Sequence, residues 1–127
     1  MSSDTNAINW FEIAVSDIKR ATKFYETILE IKTTPMEMMG MKMAMFPYDG
    51  SKGTVGGALA QSEMHKPSAT GSVIYLNANP DLDLVVKRIE KTGGKIIMPK
   101  TLIDENTGYM AFFTDTEGNT IGLHSNK

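Results

Sequence analysis

The chain has 127 residues, 41% hydrophobic and 22% charged, with a formal net charge of −2 at pH 7. These are the proportions of one globular domain, not of a disordered chain or a coiled coil, and Lys and Arg are scattered without the basic stripe that nucleic acid selects. Cysteine is absent, which excludes a disulfide framework, thiol catalysis and a thiolate metal site.

Met1–Asn6 is polar and lacks the basic-then-apolar order of a signal peptide. No apolar run approaches the ~18 residues that span a bilayer. The expected compartment is the cytoplasm, with no membrane partner. Trp10–Val15 then alternates, with Phe11, Ile13 and Val15 on one face and Trp10, Glu12 and Ala14 on the other, which predicts a strand. Ser16-Asp17 offers helix-capping oxygens. Ile18, Ala21, Phe24, Tyr25, Ile28 and Leu29 follow at helical spacing, and Pro35 bars further extension. Strands are predicted over 33–38, 41–48 and 55–60, with turns at Gly40 and 49–53. Six of the ten methionines fall within residues 36–45, suited to a flexible cavity wall or to gap-filling core.

Residues 61–70 are polar, contain Pro67, and read as a linker between a first module at about 7–62 and a second at about 71–125. After it the order repeats: a strand over 72–78, a helix start at Asn79-Pro80-Asp81 with Pro80 in the first turn, and an apolar stripe of Leu82, Val85, Val86 and Ile89 ending at Gly93-Gly94. Strands over 95–98, 109–114 and 120–124 complete the chain, the last two joined by a turn over 115–119. Ile18 and Leu82, Ala21 and Val85, Tyr25 and Ile89, and Pro35 and Pro99 are each separated by 64 residues. A matched stripe followed by a matched proline points to internal duplication. The predicted fold is α+β: two βαβββ modules form a curved mixed sheet around a cavity, with one helix per module on the outer face.

Trp10–Asp17, Arg20–Tyr25 and Phe113–Leu123, with its Asp115-Thr116-Glu117-Gly118-Asn119 turn, resemble the vicinal oxygen chelate superfamily of glyoxalase I, bleomycin-resistance proteins and extradiol dioxygenases. Thr116 stands where that family commonly has proline. The resemblance implies a divalent metal held by His, Glu or Gln from both modules. The matching positions here are Trp10, Val73, Gly122 and either Gly56 or Gly57, none of which ligates through its side chain. The expectation is therefore no metal and no cofactor. Of the two histidines, His65 reads as a solvated linker residue. His124 reads either as a residue at the cavity mouth or as a frayed C-terminal one.

The expected cavity is lined by Trp10, Glu12, Tyr75, Asn77, Phe113 and His124, with Met43 and Met45 beside them. The first expectation is a metal-independent protein that sequesters or senses a small organic molecule, as a homodimer by resemblance. The alternative is a lyase or isomerase of glyoxalase-like type with Glu12 as general acid or base and Tyr75 or His124 as partner, with or without a displaced divalent metal. Against that stands Glu12 as a plain hydrogen-bond acceptor from Tyr75 or the Trp10 indole. A purely structural or partner-binding domain whose pocket is filled by side chains, as the many methionines allow, is the third possibility.

Overall fold

The structure is a computed structural model covering residues 1–127. In chain order the elements are β1 (Trp10–Ala14), α1 (Ile18–Leu29), β2 (Thr34–Met38), β3 (Met41–Met45), β4 (Gly56–Gln61), β5 (Tyr75–Asn77), α2 (Leu82–Lys91), β6 (Lys95–Asp104), β7 (Gly108–Thr114) and β8 (Thr120–Ser125). They form two mixed four-stranded sheets, β1-β4-β3-β2 and β5-β8-β7-β6, each with one parallel pair, β1 with β4 and β5 with β8. The expected α+β fold of two βαβββ modules is what the chain adopts. No helix is long and apolar enough to cross a membrane.

Each helix is local chemistry plus one buried stripe. Asp17 caps α1 by accepting from Arg20 N, and Ala21, Phe24, Tyr25 and Ile28 turn inward. The helix stops at Glu30, which is left-handed (φ 52°), five residues before Pro35. The cap of α2 is Asp81, not the dipeptide before it, so Pro80 lies outside the first turn where the spacing had placed it. The buried Ser125 hydroxyl also accepts from Leu82 N at 3.0 Å, tying that helix start to the last strand. Both helices bury their stripes in a single core of 19 residues drawn from both modules, including Ile13, Phe46, Leu59, Leu76, Phe113 and Leu123.

β6 is the largest departure from expectation. It continues through Pro99 to Asp104 with three register shifts against β7. Proline is tolerated because β6 is the outer strand of its sheet, where a missing N–H breaks no ladder. Pro35 sits likewise on outer strand β2.

Gly108 opens β7 at φ 98°, and a Cβ there would lie 2.4 Å from the Ser125 carbonyl oxygen. A backbone obstacle cannot rotate away. Gly108→Ala is expected to cost about 2 kcal/mol or more, read as a lower midpoint in urea denaturation with an unchanged slope.

The end of β1 and the 115–119 turn are clasped together. Arg20 grips Glu117 with two bonds of 2.8 and 2.9 Å, and the same carboxylate accepts from the Ser16 and Asp17 N–H groups and the Thr116 hydroxyl. Desolvation opposes ionisation of Glu117, but these donors outweigh it and hold its pKa at about 2. Behind the clasp, buried Tyr25 donates to Asp115 at 2.6 Å. Burial, then the neighbouring Asp115, pushes the Tyr25 phenol well above its usual pKa. Asn119 Nδ2 donates both to Asp115 and to the Ala14 carbonyl, joining the second module to β1.

Candidate functional site

Strand parity decides which side chains reach the sheet faces away from the helices. On the first sheet these are Trp10 and Glu12 of β1, with Met43, Ala58 and Ala60 forming a small buried cluster against Trp10, Met41 and Met45. Tyr48 meets Trp10 edge to face at 5.5 Å between ring centres. Gly56 makes room for it, since a Cβ there would sit 2.5 Å from the Tyr48 ring.

Glu12 accepts from the Trp10 indole N–H at 3.3 Å and from His65 Nε2 at 2.8 Å. His65 Nδ1 lies 2.7 Å from Ser62 Oγ. The expected solvated linker histidine is thus corrected: the His65 side chain is only 17% exposed and reaches back to β1. The polar composition of 61–70 concealed this, because a loop of polar residues can pack by hydrogen bonds alone. Of the two expected partners of Glu12, the Trp10 indole is present and Tyr75 is not.

On the second sheet, Tyr75 and Asn77 of β5 pair with Gly122 and His124 of β8. Tyr75 lies over Gly122, where a Cβ would fall 2.6 Å from its ring, and stands 5.6 Å from Phe112. Asn77 Oδ1 accepts from Asn79 N, and His124 Nε2 donates to the Thr107 carbonyl at 2.6 Å. The frayed reading of His124 is excluded, because β8 runs through fully buried Ser125.

Phe113 is a correction. It pairs with Ile121 and is fully buried in the helix-side core, 6.0 Å from Phe24, while its neighbour Phe112 takes the outer face opposite Gly122. Two adjacent aromatics on a strand must point apart, and only pairing with β8 says which goes where.

The Trp10 and Tyr75 groups belong to different sheets. None of the four principal cavities contains Trp10 or Glu12 together with Tyr75, Phe112 or His124.

The positions that would hold a metal do not suit one. Val15 N donates to Ala60 O as Ala78 N donates to His124 O. By this register Ala60 matches His124, and Ala58, not Gly56 or Gly57, matches Gly122. Val73 lies just before β5 and is 44% exposed. An indole, a methyl, an isopropyl and a hydrogen therefore occupy the four places. No group of three or more His, Cys, Asp or Glu gathers elsewhere in the chain. Glu12 and His65, bonded to each other, are two donors where a transition-metal site needs three or four.

Comparison with known proteins agrees with this architecture. A glyoxylase-like domain-containing protein of Didymella fabae is 29% identical over 123 residues, covering 89% of this chain and 88% of that one. A glyoxalase/bleomycin resistance protein of Streptomyces sp. CB03234 superposes with a TM-score of 0.66 at 22% identity, covering 91% of this chain and 97% of that one. The fosfomycin resistance protein FosX of Listeria monocytogenes, solved with Mn(II) and a dihydroxypropylphosphonic acid, gives 0.64 at 15% identity, covering 100% and 95%. These superpositions establish a shared fold. The sequence model of the Glyoxalase/Bleomycin resistance protein/Dioxygenase superfamily matches residues 7–123, and the chain belongs to that superfamily.

Proposed function

We propose that this protein binds a small organic molecule without a divalent metal, to sequester or sense it. The observation that carries the reading is the set Trp10, Ala58, Val73 and Gly122 at the four positions where the superfamily places metal ligands. Apolar walls from Trp10, Met43, Met45, Tyr75 and Phe112 supply affinity, and Glu12, Asn77 and His124 supply orientation. With both carboxylate oxygens engaged by Trp10 and His65, Glu12 serves as a fixed acceptor in preference to a free base.

The two lining groups lie on separate sheets of one chain, which supports assembly as a homodimer in which a second copy brings a Trp10 face against a Tyr75 face. Trp10 is the only tryptophan, so its emission reports on the first face. A screen of small organic compounds is expected to give ligands that quench or shift Trp10 emission equally with and without chelator, on a species of dimer mass by light scattering. Ligands that bind only with added manganese, nickel or zinc overturn the proposal. A monomer that binds as tightly as the dimer overturns the shared site.

A further inference from the structure

Ser62 and His65 extend from Glu12 as a continuous chain on the side away from Trp10, and the binding reading assigns no role to Ser62. Ser62 Oγ is 2.7 Å from His65 Nδ1, and His65 Nε2 is 2.8 Å from Glu12 Oε1. Glu12 comes from β1, 53 residues away, so this pairing is tertiary and not a by-product of the turn.

An ionised carboxylate can only accept, so the nitrogen facing Glu12 is the protonated one, and in the neutral tautomer this leaves Nδ1 as the acceptor for the Ser62 hydroxyl. A hydroxyl bonded to an imidazole that a carboxylate orients is the arrangement that activates oxygen nucleophiles. The Met64 N–H also donates to Ser62 Oγ at 3.1 Å, which helps to fix the orientation of the hydroxyl. Ser62 and His65 open onto a cleft of about 590 Å³. Lys42 and Lys66 line it, with Glu63 as the single acidic side chain.

We propose that Ser62 is an acyl-accepting nucleophile, with His65 as its base and Glu12 as the residue that positions His65, acting on small esters that carry negative charge. The Ser62 oxygen bonds to the ester carbonyl carbon while its proton passes to His65 Nδ1. The tetrahedral adduct then collapses with loss of the alcohol, which takes that proton back. Water, deprotonated by the same nitrogen, hydrolyses the acyl-serine and restores the hydroxyl. The two lysines draw anionic substrates toward the cleft and offset the oxyanion charge.

The test uses p-nitrophenyl acetate as probe, with acid quench and peptide mass analysis, on the wild type and on Ser62→Ala, His65→Gln and Glu12→Gln. The expected result is an acetyl group on the peptide containing Ser62. Release of p-nitrophenolate above buffer should fall by about 10²-fold or more in Ser62→Ala and His65→Gln, and less in Glu12→Gln. Equal thermal midpoints show that the variants are folded. Acetylation confined to lysines, or release unchanged in Ser62→Ala, overturns the assignment.

Discussion

Phe113→Ala is expected to destabilise the protein by about 3–5 kcal/mol, the range for removing a fully buried aromatic ring from a packed core. The ring is inaccessible and stands within 6.0–6.5 Å of both Phe24 and Tyr25. Its loss would open a void in the core that the two modules share. Phe112→Ala, one residue earlier, removes the same atoms from a half-buried position beside Tyr75. Its expected cost is about 1 kcal/mol, accompanied by weaker ligand binding. Urea denaturation of the two variants side by side checks the parity of β7. The reverse ranking would place Phe113 on the binding face.

Replacing Glu117 should give the second large effect, and one that depends on pH. The folded-state pKa of about 2 lies below the ordinary carboxylate value of 4.5. The stabilisation is therefore complete above about pH 4.5 and disappears as pH falls through about 2. The full displacement corresponds to at most about 3 kcal/mol. Arg20 is 52% exposed, so solvent screening reduces this to about 1–2 kcal/mol. Glu117→Gln should lose that amount at pH 7, and the gap to wild type should close between pH 4.5 and 2. Glu117→Ala should lose more, because the Ser16 and Asp17 N–H groups are left without their acceptor. A gap that stays constant with pH would show that the clasp contributes by packing and not by charge.

The architecture was legible because its signals are local and occur twice. A capped stripe of helical period, followed by strands and a proline, repeats at a spacing of 64, and both copies adopt the expected order of elements, with β6 running longer than read. The site was less legible, since its composition turns on pairings between distant segments. Nothing in the run around Phe112 and Phe113 says which ring faces the helices until β8 fixes the register. Nothing near His65 announces Glu12. The residue matching Gly122 lies one or two positions beyond the glycines the sequence suggests, because β4 reads Gly56-Gly57-Ala58 and only the bonds from Val15 and Ala78 align the modules. What survived these corrections is the chemical character of the four metal positions, since each candidate residue, right or wrong, lacked a donor atom.

Trp10, Ala58, Val73 and Gly122 make the central claim directly measurable. Protein prepared without chelator, then equilibrated with manganese, iron, nickel or zinc and desalted, should retain far less than one equivalent of metal per chain by elemental analysis. Its ligand binding should be the same before and after that treatment. One equivalent of metal that survives desalting, and without which the ligand no longer binds, would contradict the account.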